Sequence, residues 1–175
     1  MSDVSTITNN AQLEIEMTLF QIVSGGKLCE ARLNNAGLYL GLYNGVYYQL
    51  GTQGAGVYLS TTPTANVKFR IKADKGNVYQ YDYATNTYNS VGTFTPTYIN
   101  INQTMPIFCG HFNTTYDNPV TGRLYSFKYM DDGVPISDLI PCYRKADSVV
   151  GLYNLANNNF ITARSGSFTA GNDVV

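Results

Sequence analysis

Glu14 and Glu16 are the two residues whose type and spacing come closest to those of a catalytic pair. They stand at positions i and i+2 of an alternating segment, so both carboxylates face one side of a strand at a residue spacing of about 6.6 Å. Retaining glycoside hydrolysis needs two carboxyl groups about 5 to 5.5 Å apart. The simpler interpretation is that both glutamates lie on the solvated side of an amphipathic strand, and we therefore expect no enzymatic activity.

The sequence offers few candidate residues for a metal site or an activated nucleophile. His111 is the only histidine, which excludes a histidine cluster for zinc. It follows Cys109 by two residues, whereas a Cys–His pair usually comes from distant segments. We predict no cofactor and leave calcium open, because calcium needs spaced oxygen ligands. The available acids form no such spacing; they are Asp117, Asp131, Asp132 and Asp147.

Tyrosine is the residue type that most strongly indicates binding, with 15 in the chain and no tryptophan. Its ring offers a large contact area and a polar tip at a low cost in entropy. The tyrosines of residues 79–83 alternate and therefore share a face, although a stripe of this kind also fills sandwich cores. We predict the following ligand-binding residues: Tyr47, Tyr48, Tyr79, Tyr81, Tyr83, His111, Asn113 and Tyr116.

The elements that must position these residues are short strands joined by tight turns. Residues 13–19 alternate strictly between apolar and polar side chains, which predicts a half-buried strand. Asn44-Gly45 between two apolar runs predicts a hairpin. A second hairpin joins residues 67–72 to VYQYDY, and its inward positions are Val67, Phe69 and Ile71. The basic residues between them favour an exposed or edge strand; they are Lys68, Arg70 and Lys72.

Composition and length indicate a single all-β domain over residues 1–175. Tyr, Thr, Asn, Gly and Val dominate, as in chains of strands and turns. Charged residues make up 13% and the net charge is −1, which suits neither a nucleic-acid-binding surface nor a disordered chain. No apolar run approaches the roughly 20 residues of a membrane span, and MSDVSTITNN lacks the features of an export signal. Three widely spaced cysteines indicate reduced thiols.

Residues 138–160 are typical of consecutive hairpins. Because proline lacks an N–H group, we expect Pro141 on an edge strand or at the start of a strand. With its flanks this stretch resembles the C-terminal half of the laminin-G-like, concanavalin A-like modules of phage and bacterial surface proteins. Asn154 and Ala146 replace the usual Asp and Ser of that family. The matching positions are Leu124–Lys128, Asp132-Gly133, Asp138–Lys145, Asp147, Gly151–Tyr153, Leu155, Asn157-Asn158, Phe160 and Gly166–Phe168.

The resemblance implies a concanavalin A-like two-sheet antiparallel sandwich, or jelly roll, in a mostly non-catalytic family. It implies a phage virion protein of a tail or head fibre, made in the host cytoplasm, that recognises a cell-surface carbohydrate or host receptor beside other virion proteins. A bacterial cell-surface protein is the alternative location. An architectural capsid decoration or trimerising fibre head is the alternative function, and a glycoside hydrolase using Glu14 and Glu16 is a minor one. We expect neither nucleic-acid binding nor membrane insertion.

Overall fold

The computed structural model describes residues 6–163 and 167–171, which form strands and turns without a helix. None of these residues therefore belongs to a helix long and apolar enough to cross a membrane. In chain order the strands are β1 (Ile7–Thr8), β2 (Ala11–Leu19), β3 (Lys27–Leu33), β4 (Ala36–Leu42), β5 (Val46–Gly51), β6 (Gly56–Tyr58), β7 (Lys68–Asp74), β8 (Asn77–Asp82), β9 (Thr87–Thr93), β10 (Asn100–Ile101), β11 (Gly110–Phe112), β12 (Thr115–Asp117), β13 (Gly122–Asp131), β14 (Val134–Arg144), β15 (Val149–Asn154) and β16 (Asn159–Ile161).

Two large sheets and one small one contain these strands. The larger has eight strands in the spatial order β16-β15-β14-β13-β2-β7-β8-β9, and every neighbouring pair is antiparallel. The second has six, in the order β12-β11-β3-β4-β5-β6, with a parallel contact only between β11 and β3. Strands β1 and β10 pair separately. The all-β prediction is confirmed, and the arrangement is that of a sandwich of two largely antiparallel sheets.

The core lies between the two large sheets because alternation gives each of them one apolar side. Strand β2 buries Leu13, Ile15 and Met17 almost completely, while its polar residues between them point outward. Strands β4 and β5 supply the opposite layer, which includes Leu40 and Tyr48. A single cluster of buried apolar residues extends from Ile7 to Leu152. Burial of this continuous layer is the main favourable term in the stability of such a fold.

The inward position predicted for Val67 is wrong, and of the two alternatives predicted for its strand, exposed or edge, the edge is excluded. Strand β7 is not an edge strand, since it lies between β2 and β8. Its basic residues lie on the solvent side of the sheet, where Lys68 and Arg70 form ion pairs with the glutamates of β2. These ion pairs therefore connect two interior strands. Val67 precedes β7 and is 53% exposed, whereas Phe69 and Ile71 are buried as predicted.

The closing stretch forms the predicted hairpins, because β14, β15 and β16 are consecutive antiparallel neighbours. Strand β14 pairs with β13 only as far as Leu139, while its pairing with β15 continues to Arg144. Pro141 therefore lies where β14 has a partner on one side only, which suits a residue without an N–H. Asn154 fixes the next turn, since its Oδ1 accepts from the N–H groups of Asp138 (2.9 Å) and Ala156 (3.0 Å).

Candidate functional site

The outer side of the eight-stranded sheet carries a continuous group of aromatic and charged side chains. Alternation turns every second residue of β2, β7 and β8 to this side. A β-bulge between Leu124 and Ser126 accompanies the turn of Tyr125 in the same direction. We name this surface the charged tyrosine face, and its residues are Glu14, Glu16, Thr18, Lys68, Arg70, Lys72, Tyr79, Tyr81, Tyr83, Tyr88 and Tyr125.

Glu14 contacts side chains of β7 and β9 that do not lie directly opposite it. Lys72 lies opposite it on β7, but Glu14 Oε1 accepts from Arg70 Nε at 2.6 Å and also from Arg70 Nη2. The same oxygen accepts from the hydroxyl of Tyr88 on β9 at 2.9 Å. Burial and this hydrogen bond raise the pKa of Tyr88 to about 12. One carboxylate thus holds a guanidinium and a tyrosine hydroxyl in fixed positions.

Glu16 repeats the arrangement one row further along β2. Its Oε1 lies 2.7 Å from Lys68 Nζ and accepts from the hydroxyl of Tyr83 at 2.7 Å. Burial favours the neutral carboxyl group, but the bonds from Lys68 and Tyr83 outweigh it and hold the pKa of Glu16 below its usual value. Burial and the bond to Glu16 raise the pKa of Tyr83. At neutral pH the carboxyl group of Glu16 is therefore ionised and the hydroxyl of Tyr83 is neutral.

The rings on this face contact one another and the cations. Tyr81 lies between Tyr83 and Tyr88, with ring centroids 5.0 Å and 5.1 Å away in edge-to-face geometry. Arg70 lies 5.3 Å from the Tyr81 centroid, and Lys68 lies 5.2 Å from that of Tyr83. Contacts of this kind are each worth about 0.5–1.5 kcal/mol. The side chains are consequently organised before any ligand arrives.

This arrangement suits binding better than proton transfer. A general acid must carry a proton near its working pH, whereas Glu14 and Glu16 both accept hydrogen bonds from a cation and from a tyrosine. Aromatic surface next to fixed donors and acceptors is a common composition of binding sites. Tyr83, at 41% exposed, is the most accessible of the predicted tyrosines.

The outer side of the six-stranded sheet holds a second aromatic group. Tyr47 lies between Tyr39 and Tyr58, with centroids 5.8 Å and 4.9 Å away. Beside them the carboxylate of Glu30 is fully buried, where its Oε1 accepts from Arg32 Nε and lies 3.6 Å from Lys27 Nζ. The prediction for Tyr47 thus leads to a surface separate from that of residues 79–83.

The prediction that Tyr48 binds a ligand is wrong, because its side chain is fully buried in the core. Its ring packs edge-on against Phe94, with centroids 5.8 Å apart. Tyr47 and Tyr48 are adjacent in β5, and strand alternation sends one of two adjacent side chains inward.

Three further predicted residues lie at the β11–β12 hairpin. His111 is 7% exposed and stacks on Tyr116, with centroids 4.2 Å apart and planes at 4°. Its Nδ1 donates to the carbonyl of Thr104 at 2.9 Å. Asn113 accepts from the N–H of Asn34 through its side chain at 2.8 Å. These contacts organise the hairpin, and the structure does not bring the three residues onto the charged tyrosine face.

Two of the four acids considered for calcium are engaged with protein donors. Asp131 accepts from the N–H and hydroxyl of Thr8 and from Tyr129, and Asp147 pairs with Arg144 at 2.5 Å. Within residues 6–163 and 167–171, no group of three or more His, Cys, Asp or Glu side chains could hold a metal ion. The described acids therefore supply no multi-carboxylate cage.

Comparison with known proteins adds no assignment: no family model, no curated protein and no solved structure matches this chain. The assignment of the candidate site therefore depends on the geometry of its residues alone. Sequence reasoning missed Tyr88 and Tyr125, which join the face from β9 and β13. The β-branched and aromatic residues of TYNSV offered a strand signal for Tyr88. The orientation of Tyr125 accompanies a bulge that no turn residue indicates.

Proposed function

We propose that this protein is a non-catalytic binding module of a phage virion, built as a laminin-G-like, concanavalin A-like jelly roll, that recognises a host cell-surface glycan. The charged tyrosine face is the binding surface. The observation that carries the proposal is the gathering of five tyrosines with Lys68, Arg70, Glu14 and Glu16 on one solvent-facing side of a sheet.

Such a surface matches the chemistry of a saccharide. The C–H side of a sugar ring packs on an aromatic ring, and its hydroxyls both donate and accept hydrogen bonds. Arg70 and Lys68 supply donors, while the oxygens of Glu14 and Glu16 supply acceptors. Because the carboxylates already fix the rings and cations, little side-chain entropy is lost when a ligand binds.

The proposal is tested with an array of bacterial surface glycans and with whole bacterial cells. We expect binding to the array, and we expect Tyr83→Ala to weaken it by about tenfold, which corresponds to about 1.4 kcal/mol. Tyr98→Ala is the matched control, since Tyr98 is 78% exposed and lies outside the face. If neither the array nor the cells retain the protein, the glycan proposal is abandoned.

An architectural role is the second candidate, and one observation favours it. Phe20, Ile22 and Val23 are 52%, 38% and 41% exposed in the segment after β2. Val67 is also exposed and lies at the same end of the sheet, where the N–H of Asn66 donates to the carbonyl of Leu19 at 2.7 Å. Exposed apolar patches often mark subunit interfaces. Light scattering after size exclusion would show a trimer in this case, and a monomer would refute it.

A further inference from the structure

We propose that the outer side of the six-stranded sheet is a second saccharide-binding site, so that the module holds two glycans on opposite sides of the sandwich. This inference rests on the proposed function of the charged tyrosine face. We name the second surface the tyrosine ladder, which consists of Tyr39, Tyr47 and Tyr58 on the adjacent strands β4, β5 and β6.

Glycines set the orientation of the ladder. A Cβ at Gly41 would lie 2.5 Å from Tyr39 Oη and 2.6 Å from its Cζ, so the ring of Tyr39 extends sideways over Gly41. The ring of Tyr47 extends over Gly56 in the same way, with its Cζ 2.6 Å from the corresponding point. A ring that lies along a sheet turns one side towards the backbone, and its other side faces solvent only where no neighbouring side chain covers it.

Exposure increases along the ladder. Tyr39 is 5% exposed and forms its inner end, while Tyr58 is 51% exposed at the outer end. Tyr47 and Tyr58 lie directly opposite each other in register, and their centroids are 4.9 Å apart. Together they form an aromatic surface on which the C–H side of a sugar ring can pack.

Polar groups stand at the inner end of this surface. Lys27 Nζ lies 4.2 Å from the centroid of Tyr39, and the guanidinium of Arg32 lies 5.1 Å from it. Glu30, which is fully buried, holds both cations through its Oε1. The cations are thus fixed donors. Asp117 supplies a second carboxylate next to that of Glu30, so two negative charges balance the two cations, which favours hydroxyl-bearing sugars over a polyanion. An aromatic surface bordered by a few fixed polar groups is the usual composition of a small-ligand site.

The two sites cannot share a ligand. Packed sheets stand about 10 Å apart, and their outer sides face in opposite directions. Both can therefore be occupied at once, and one molecule can join two glycan chains. Such a bivalent module binds a glycan-covered surface more tightly than either site alone.

The experiment uses the oligosaccharide that the bacterial glycan array retains best, titrated into the whole chain by calorimetry. We expect two ligands per wild-type chain. Tyr58→Ala and Tyr83→Ala should each leave one, and the double variant should leave none. Both tyrosines are about half exposed, so the variants are matched, and thermal unfolding verifies that each is folded. Wild-type protein should agglutinate beads coated with the glycan, and either single variant should not.

Several results would overturn the inference. One ligand per chain that is lost in Tyr83→Ala alone would leave the proposed function standing and remove the second site. One ligand lost in Tyr58→Ala alone would move the binding site to the ladder and end the bivalent model. A dimer that Tyr58→Ala converts to monomer without altered ligand binding would make the ladder a contact between copies. No glycan binding at all would refute both proposals.

Discussion

Substitution of Gly110 by alanine tests the buried charge cluster that supports the tyrosine ladder. Gly110 lies opposite Asp117 in the β11–β12 pair. A Cβ at Gly110 would come well under 3.0 Å from both Glu30 Oε2 and Asp117 Oδ1, and would lie 3.0 Å from Lys27 Cγ. Both oxygens are buried and have no hydrogen-bond partner among the residues that the structure describes. The added methyl group must therefore displace two buried carboxylates.

The magnitude follows from two costs. Overpacking of a well-packed site costs about 1–3 kcal/mol. Displacement of Glu30 also weakens its pairing with Arg32 and Lys27, and complete loss of a buried partner costs about 3–5 kcal/mol. We expect Gly110→Ala to lower the free energy of unfolding by about 3 kcal/mol. Backbone strain contributes nothing, because the φ angle of Gly110 is not positive.

The assay is urea unfolding at neutral pH, with Gly92→Ala as the matched control. The three atoms nearest to a Cβ at Gly92 are methyl carbons, of Val57 at 3.0 Å and 3.1 Å and of Leu59 at 3.4 Å, so no charged group is displaced and we expect a loss below about 1 kcal/mol. Removal of the Asp117 carboxylate makes room for the methyl group, so Gly110→Ala and Asp117→Ala should be less than additive. Equal losses in Gly110→Ala and Gly92→Ala would refute the reasoning.

Three further predictions concern other parts of the chain. Glu16→Gln should lower the free energy of unfolding by at most about 1 kcal/mol near pH 7, because the partners of Glu16 are half exposed. The pKa of Glu16 is lowered in the folded protein, so this contribution is lost as the pH falls below 4.5 and through the folded pKa. In urea titrations the difference between the variant and wild type should therefore disappear over that range. A difference that persists at pH 2 would contradict this. Asn154→Ala should cost about 2 kcal/mol because two backbone N–H groups lose their acceptor, and the exposed Asn157→Ala serves as control; equal losses would count against the assignment. Burial raises the pKa of the Cys142 and Cys29 thiols. Both thiols should therefore react with iodoacetamide more slowly in the folded protein than in denaturant, and Cys29 should be the slower of the two. Rapid labelling of Cys29 in the folded protein would exclude its burial.

Local patterns predicted those parts of the fold that depend on neighbouring residues. The alternation of residues 13–19 predicted β2 and its buried face, and the turn residues predicted the hairpins of residues 138–160. The position of β7 in the middle of its sheet depends on pairing with β2, which lies about fifty residues earlier in the chain. No local pattern specifies that pairing, and basic residues occur on both edge and interior strands.

For the candidate site, too, the sequence predicted the alternation within a strand but not the contacts that depend on the rest of the fold. Period-two spacing placed Tyr81 and Tyr83 on one face, where their rings are in contact. It could not determine which of Tyr47 and Tyr48 points inward, because that depends on which side of β5 faces the other sheet. The diagonal pairing of Glu14 with Arg70, in place of Lys72 directly opposite, depends on side-chain conformations that sequence does not specify.

The most direct test of the central claim is an NMR titration of protein with labelled tyrosine rings, using the oligosaccharide that the glycan array retains best. The ring signals of Tyr81, Tyr83 and Tyr88 should shift in a saturable manner, while those of the buried Tyr48 and Tyr129 should not. Saturable binding that leaves the signals of Tyr81, Tyr83 and Tyr88 unchanged would contradict the claim that the charged tyrosine face binds the glycan.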